Sequence, residues 1–276
     1  AEAADMFTTH GFPPELFETI AAERNLTFDW EGYAKEMEKH GIESGGGRRG
    51  ELFQSGPMDS LKKALDGSRF LGYETLEVND AKVVGIIASG QLCEKLQEAD
   101  RQHPVVVVLD KTPFYGEKGG QVGDTGELTG EQFRFEVIDT QVDGGFTLHR
   151  GHLREGEISL GAALTARVNP VRRQAIRRAH SATHILQYAL QKHLGAHAQQ
   201  QGSKVDEDWL RFDFTNPSGL TPEQLAEVET EVNARVIDDA PVGWKDMPLV
   251  EARKLGAMML FGEKYPDVVR VVSVGD

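Results

Sequence analysis

Short runs of strand-forming residues fill the middle of the chain, from residue 68 to about residue 168. The runs are rich in β-branched and aromatic residues, and turn-forming residues such as Asp143-Gly144-Gly145 separate them. They cover residues 73–78, 82–88, 105–109, 133–138, 146–150 and 164–168. Many short strands at this spacing predict a β-barrel or a β-sandwich.

A helical pattern follows the strand-like runs. Asn169 can accept hydrogen bonds at a helix N-terminus, Pro170 suits the first turn, and Gly195 is a natural helix end. Apolar residues recur at helical spacing between these positions, which predicts one long helix. The remaining sequence predicts a strand over 210–214, helices over 221–238 and 249–255, and a strand over 268–274.

The beginning of the chain has a different composition. Residues 1–42 predict short helices, residues 43–50 form a glycine-rich polar linker, and residues 51–66 predict one more short helix. The predicted fold class is α+β, with an N-terminal helical segment, a β-barrel and an α/β two-layer core. The corresponding domains are 1–66, 67–168 and 169–276.

Charge is distributed unevenly along the 276 residues. The net charge of −14 argues against a protein that coats nucleic acid without specificity. Residues 158–205, however, contain no Asp or Glu, and this stretch is here called the basic tract. One interpretation is a local anionic partner such as a phosphate backbone, and the other is a helix face that pairs with acidic residues elsewhere. The cations of the tract are Arg167, Arg172, Arg173, Arg177, Arg178, Lys192 and Lys204.

Two simple features bear on the compartment. The longest clearly apolar run, residues 105–109, is far too short to cross a bilayer. Cys93 is the only cysteine, so no disulfide can form within the chain, which fits a reducing compartment. We therefore expect a cytoplasmic protein without a membrane partner.

A histidine pair lies inside the predicted long helix. His180 and His184 are four residues apart, so both imidazoles can face one point, as two zinc ligands would. A full zinc site needs one or two further ligands, for which His193 and His197 are candidates. Ser181 stands where a metalloprotease would carry its glutamate, which argues against that activity. Taken alone, a histidine pair at this spacing is a weak signal for a metal site.

A glycine-rich motif spans residues 112–126, directly after a predicted strand. It lacks the Gly-Lys-Ser/Thr ending of a phosphate-binding P-loop, and no helix follows it as in a dinucleotide fingerprint. Its glycines allow either a tight connection in a barrel or a loop whose backbone approaches a ligand closely. A polar segment, residues 199–203, follows the histidine helix and is read as a turn or as amides that could bind a substrate hydroxyl.

Taken together, these motifs resemble alanyl-tRNA synthetase over essentially the whole chain, and the chain is expected to be an internal fragment of such an enzyme. Near the beginning, Thr8-Thr9-His10 departs from the usual family sequence. The family's Cys-x-x-x-His block, which supplies the remaining zinc ligands, is expected beyond residue 276. The matching blocks are Gly11-Phe12-Pro13, the glycine motif from Phe114 to Gly126, His180 to His184 with Gln200 to Ser203 and Leu210 to Phe214, and Gly256-Ala257 with Phe261 to Tyr265 and Val269 to Val271.

The resemblance implies that residues 169–276 are a truncated editing core. The parent enzyme would attach alanine to tRNA(Ala) with ATP and Mg²⁺ in a domain absent from this chain, and the present part would hydrolyse mischarged Ser-tRNA(Ala) and Gly-tRNA(Ala). The alternatives are a tRNA-binding fragment without activity and a free-standing editing hydrolase.

The resemblance also implies roles for individual residues. Zn²⁺ would be held by His180 and His184, and the serine hydroxyl would be recognised by the catalytic residues Thr183 and Gln200. The acceptor end of tRNA(Ala) would meet Gly119, Gly120, Gln121, Arg172, Arg173, Arg177 and Arg178.

Overall fold

The computed structural model describes residues 57–97, 103–259 and 265–275, together with Asp29, Gly32 and Tyr33. The helices predicted before residue 43, the predicted linker and the Gly11-Phe12-Pro13 block therefore lie almost wholly outside the described residues.

The chain divides into two compact units, one made of residues 1–65 and 89–92 and the other of residues 66–88 and 93–276. In the first unit, helix α1 (Pro57–Ala64) buries Met58 and Leu61, which are three residues apart and so share one helix face. This is the helix predicted within 51–66. The same unit contains the short strand β3 (Gln91–Leu92).

The second unit contains the other elements. Its helices are α2 (Pro170–Leu194), α3 (Pro222–Ile237) and α4 (Leu249–Lys254). Its strands are β1 (Arg69–Phe70), β2 (Glu77–Ala88), β4 (Lys95–Leu96), β5 (Val105–Leu109), β6 (Lys111–Thr112), β7 (Gly126–Gly130), β8 (Phe133–Asp143), β9 (Phe146–Gly156), β10 (Ile158–Ser159), β11 (Ala163–Val168), β12 (Gln200–Val205), β13 (Leu210–Phe214), β14 (Val242–Pro248) and β15 (Val268–Val274). No helix among the described residues combines the length and the apolar character needed to cross a membrane.

Six antiparallel strands close into a barrel. Their order is β11-β7-β8-β9-β5-β2, and β11 pairs back onto β2 to complete the ring. The interior is filled by fully buried side chains such as Val107, Phe114, Leu128, Phe135 and Leu153. Of the two predicted alternatives, a β-barrel and a β-sandwich, the closed sheet confirms the barrel. The mixture of helices and antiparallel strands confirms the predicted α+β class.

Helix α2 begins and ends where its sequence predicts. The Asn169 side chain accepts hydrogen bonds from the backbone N–H groups of Val171 and Arg172, both at 3.1 Å. At the other end Gly195 has φ of +112°, a conformation that favours glycine. Along its length, Ile176 packs with Val122 and Val205 near the barrel. The second half instead packs on α3, where Ala189 and Leu190 contact Val228.

Two small antiparallel sheets follow α2. β12 pairs with β13, and β14 pairs with β15. The strand at 210–214, the two later helices and the last strand lie close to their predicted positions. The sequence did not predict β12 or β14, because Gln200-Gln201-Gly202-Ser203 is polar and β14 shows no regular alternation of apolar residues.

Candidate functional site

The glycine-rich motif from Phe114 to Gly126, here called the glycine loop, is fixed against β12. The Val122 N–H donates to the Val205 carbonyl at 3.1 Å, and the Val205 N–H donates to the Gly120 carbonyl at 2.8 Å. Gly120 has φ of +82°, and a Cβ there would lie 2.4 Å from the Ser203 carbonyl oxygen. Glycine is therefore required for close approach to the protein's own strand. The tight-connection interpretation is supported, and a substrate contact by Gly119 and Gly120 stays a prediction.

A buried ion pair joins the glycine loop to helix α2. Arg173 is 7% exposed and Asp124 is 1% exposed. The guanidinium donates from Nε to Asp124 Oδ1 at 2.9 Å and from Nη2 to Oδ2. It also donates to the carbonyls of Gly72 and Pro113, each at 2.8 Å. Arg173 has no exposed donor for a phosphate in this arrangement, so we assign it a structural role and withdraw it from the expected tRNA contacts.

The other three arginines of the predicted tRNA contact lie in two settings. Arg172 donates to the Gly123 carbonyl at 2.6 Å and pairs with Glu207 at 2.7 Å, so its charge is largely engaged. Arg177 and Arg178 are exposed, and neither forms an ion pair with a described carboxylate. The pairing interpretation of the basic tract is thus supported for Arg172 and Arg173. An anionic partner for Arg177 and Arg178 stays a prediction.

The histidine pair lies on α2 beside the glycine loop. The His180 and His184 rings stack with centroids 5.2 Å apart and planes inclined by 25°. His180 Nδ1 lies 2.7 Å from Gln121 Oε1, and Gln121 itself is 8% exposed. Partial burial lowers the pKa of both imidazoles, and the nearby His184 lowers the pKa of His180 further. Both rings are therefore neutral at neutral pH and keep a nitrogen lone pair.

Two neutral imidazoles on one helix face fit zinc as two of its ligands. The described part of the chain contains no cluster of three or more His, Cys, Asp or Glu side chains that could hold a metal. The candidates His193 and His197 lie elsewhere: His193 is 3.6 Å from Glu227, and His197 is 2.9 Å from the Asn216 side chain. The described residues thus offer two of the four ligands that a tetrahedral zinc site needs, and zinc binding stays a prediction.

The two residues predicted to recognise a serine hydroxyl have different surroundings. Thr183 is 5% exposed, and its hydroxyl donates to the Ala179 carbonyl at 2.9 Å, so only an oxygen lone pair remains for a ligand. Gln200 is half-buried at the start of β12, and its amide nitrogen donates to Ser203 Oγ at 3.0 Å. Ser203 is also the residue whose backbone lies against Gly120.

Two further residues have structural roles that the sequence did not predict. Asp124 is one of the two acidic residues of the glycine motif, and its burial could not be read from the motif alone. Gln187 lies one turn beyond Thr183, where its amide nitrogen donates to the Ala198 carbonyl at 2.9 Å. That bond ties α2 to the segment that leads into β12. Helical spacing from the histidines was the available signal for Gln187.

Comparison of the sequence with known proteins identifies one family. The family model described as tRNA synthetases class II (A) matches residues 1–172. Alanine–tRNA ligase from Rhodopirellula baltica is 51% identical, covering 100% of this chain and 30% of the relative. The corresponding ligases of Halorhodospira halophila and Thermus thermophilus are 44% and 45% identical, over 98% and 99% of this chain. The similarity predicted from the motifs is confirmed, and the chain spans about 30% of the length of these relatives.

Proposed function

The chain belongs to the class II (A) tRNA synthetase family, and from that premise we propose that it is the part of an alanine–tRNA ligase that hydrolyses mischarged tRNA(Ala). The substrates would be Ser-tRNA(Ala) and Gly-tRNA(Ala), and the bond broken would be the aminoacyl ester at the terminal adenosine. The observation that carries the proposal is the pair of neutral imidazoles, His180 and His184, stacked on α2 beside the glycine loop.

The need for such an activity follows from the chemistry of the amino acids. Serine is alanine with an added hydroxyl, and glycine is alanine without its methyl. A binding pocket separates such analogues by only a few kcal/mol, so a second, hydrolytic site is needed for accuracy. For serine, such a site must recognise a hydroxyl, and for both substrates it must favour attack of water on the ester.

The side chains of the site divide these tasks. His180 and His184 would hold Zn²⁺, which when bound supplies a Lewis acid for the ester or for water. Gln200 would recognise the serine hydroxyl, because its amide carries both a donor and an acceptor and lies next to the glycine loop through Ser203. Thr183 can only accept a hydrogen bond from the substrate, since its own proton is donated within α2.

The tRNA contact is proposed for the exposed arginines of α2. Arg177 and Arg178 stand on the basic tract of an otherwise acidic chain and lack ion-pair partners among the described residues. Contacts of this kind with phosphates weaken steeply as salt rises. Arg172 would contribute less, because Glu207 already neutralises its charge.

The test is hydrolysis of Ser-tRNA(Ala) by this chain with Zn²⁺ supplied, and with Ala-tRNA(Ala) as the control substrate. Selective loss of the serine ester is expected. Gln200→Met should reduce that selectivity about tenfold or more, as expected when a site loses its partner for a substrate hydroxyl. Gln201→Met changes the exposed neighbouring amide and should behave as the wild type.

A second candidate function is tRNA binding without hydrolysis. It is favoured by one observation, the absence of a third metal ligand among the described residues. Binding of tRNA(Ala) without any hydrolysis of the serine ester would establish this function and overturn the first. Unchanged selectivity in Gln200→Met would mean that Gln200 does not recognise the serine hydroxyl.

A further inference from the structure

We propose that Gln121 is a positioning residue that selects the tautomer of His180, with the proton on Nδ1 and the lone pair on Nε2. Only the catalytic consequence of this proposal rests on the proposed function. The tautomer itself is a property of the folded chain and can be measured without tRNA or metal.

The hydrogen bond between the two side chains has one possible direction. His180 Nδ1 and Gln121 Oε1 are 2.7 Å apart. An amide oxygen carries no proton and can only accept, so Nδ1 must be the donor. In a neutral imidazole the other ring nitrogen is then the acceptor, and Nε2 keeps its lone pair.

Gln121 is held in place by the glycine loop, so its acceptor is available before any ligand arrives. The Gln121 N–H donates to the Lys118 carbonyl at 3.1 Å, and Gln121 bridges to Val205 of β12. Three residues along the loop, Asp124 forms the buried ion pair with Arg173. Arg173 and His180 are seven residues apart, about two turns of α2, and therefore lie on the same face. The loop is thus attached to that face at two points.

His184 offers an internal comparison. Its ring stacks on that of His180 but has no hydrogen bond to a described residue. The protein therefore fixes the tautomer of one member of the pair and not of the other. Where a histidine binds a metal or an electrophile, the group that accepts its second ring N–H orients the ring and sets its basicity. Gln121 occupies that position for His180.

This role differs from the one that the sequence predicted for Gln121. From the resemblance, Gln121 is expected to meet the acceptor end of tRNA(Ala). The structure directs the amide oxygen at the imidazole and buries the side chain. Gln121 would thus act on the reaction through His180, without touching the substrate.

Long-range ¹H–¹⁵N correlation spectra of the histidine-labelled, metal-free chain test the proposal. At a pH of about 9, where both rings are neutral, His180 of the wild type should show the Nδ1–H pattern. Signals are assigned with His184→Gln. In Gln121→Met, a variant of similar size without the acceptor, the His180 signals should move toward the Nε2–H form, while those of His184 stay unchanged. Lys118→Met, an exposed change in the same loop, should leave both rings as in the wild type.

Gln121→Glu keeps an accepting oxygen and should preserve the Nδ1–H form, which guards against a misfolded methionine variant. A wild-type His180 with its proton on Nε2, or a pattern that Gln121→Met leaves unchanged, would overturn the proposal. In the hydrolysis assay Gln121→Met should lower kcat by about tenfold to a hundredfold with little change in KM, and Gln121→Glu should restore most of it.

The two proposals fail in different ways. A wild type that holds the Nδ1–H tautomer but does not hydrolyse Ser-tRNA(Ala) refutes the proposed function and leaves the role of Gln121 intact. A hydrolytic wild type with the opposite tautomer refutes only the role of Gln121.

Discussion

The barrel and the β14–β15 sheet are both antiparallel, but they bury their side chains very differently. All five residues of β5 are buried, and the ring of six strands leaves no open edge. No residue of β15 is fully buried, and Val268, Val272 and Val274 are exposed. An isolated pair of strands is marginally stable in water, whereas a closed barrel encloses its own core. Most of the stability of the second unit should therefore reside in the barrel.

Helix α2 connects these two kinds of structure. Its first half is attached to the barrel through Arg173 and Ile176, and its second half packs on α3. His180 lies on the barrel side of that division because Gln121 belongs to the glycine loop. The site around His180 should therefore be held as rigidly as the barrel, and more rigidly than the later sheets.

The largest expected effect is a cavity in the barrel. Phe135 is 0% exposed, so Phe135→Ala should lower the free energy of unfolding by about 4 kcal/mol. Val272 is 53% exposed, and Val272→Ala should change it by less than about 0.5 kcal/mol. Urea denaturation followed by circular dichroism measures both. Similar losses in the two variants would contradict the comparison.

The next effect concerns the ion pair between barrel and helix. Arg173→Met leaves the Asp124 carboxylate buried without its cation and should lower the free energy of unfolding by about 3 kcal/mol. The loss is limited because the Tyr115 N–H still donates to Asp124 at 2.7 Å. Arg178→Met, on the exposed face of the same helix, serves as the matched control and should be nearly neutral. A small loss in Arg173→Met would mean that the loop and the helix are held mainly by apolar contacts.

A smaller effect depends on pH and on the barrel alone. Burial lowers the pKa of His149 from 6.5 to about 4. The neutral ring donates from Nδ1 to the Val107 carbonyl and accepts from the Thr112 hydroxyl at Nε2. The unfolded chain binds the proton more tightly, so this stability is complete above pH of about 6.5 and is lost as the pH falls toward 4. By a pH of about 5, His149 alone should have lowered the free energy of unfolding by about 2 kcal/mol.

Thermal unfolding at a series of pH values, compared between the wild type and His149→Gln, isolates this contribution. In His149→Gln, the unfolding temperature should fall less than in the wild type as the pH drops below about 6.5. His197→Gln, which changes an exposed histidine outside the barrel, should show the same fall as the wild type. Parallel curves for the wild type and His149→Gln would show that His149 does not titrate as its burial requires.

The smallest effect lies in the later region. Thr221 caps α3, accepting from the Gln224 N–H while the Gln224 side chain accepts from the Thr221 N–H. Thr221→Ala should cost about 1 kcal/mol, seen as about fivefold faster hydrogen exchange of the α3 amides. Barrel amides should not change, nor should any amide in Thr230→Ala, an exposed position within the same helix. Faster exchange in the barrel would mean that both regions unfold as one.

The sequence predicts elements whose signals are local. Asn169 and Gly195 are local signals for the two ends of helix α2. The barrel is predicted by repeated runs of strand-forming residues. β7 was missed because it is a short run between Gly126, the last residue of the glycine motif, and Gly130. β12 was missed because its partners, β13 and the glycine loop, lie far away in sequence and its own residues are polar.

The candidate site was predictable in position and less so in detail. The histidine spacing placed both rings on one face, and they are found stacked there. Which arginines face solvent could not be read from the basic tract, because Arg173 is turned inward by Asp124, a residue 49 positions away. The contact between Gln121 and His180 spans 59 positions and depends on the path of the glycine loop.

Closure of the barrel joins segments that lie far apart in the sequence. Arg167 at the end of β11 pairs with Glu77 at the start of β2, 90 residues earlier. Contacts between such distant segments form slowly, because a long intervening chain must first be arranged. Helix α2 starts immediately after β11. In order of synthesis, the glycine loop and all six barrel strands therefore precede the histidines of α2.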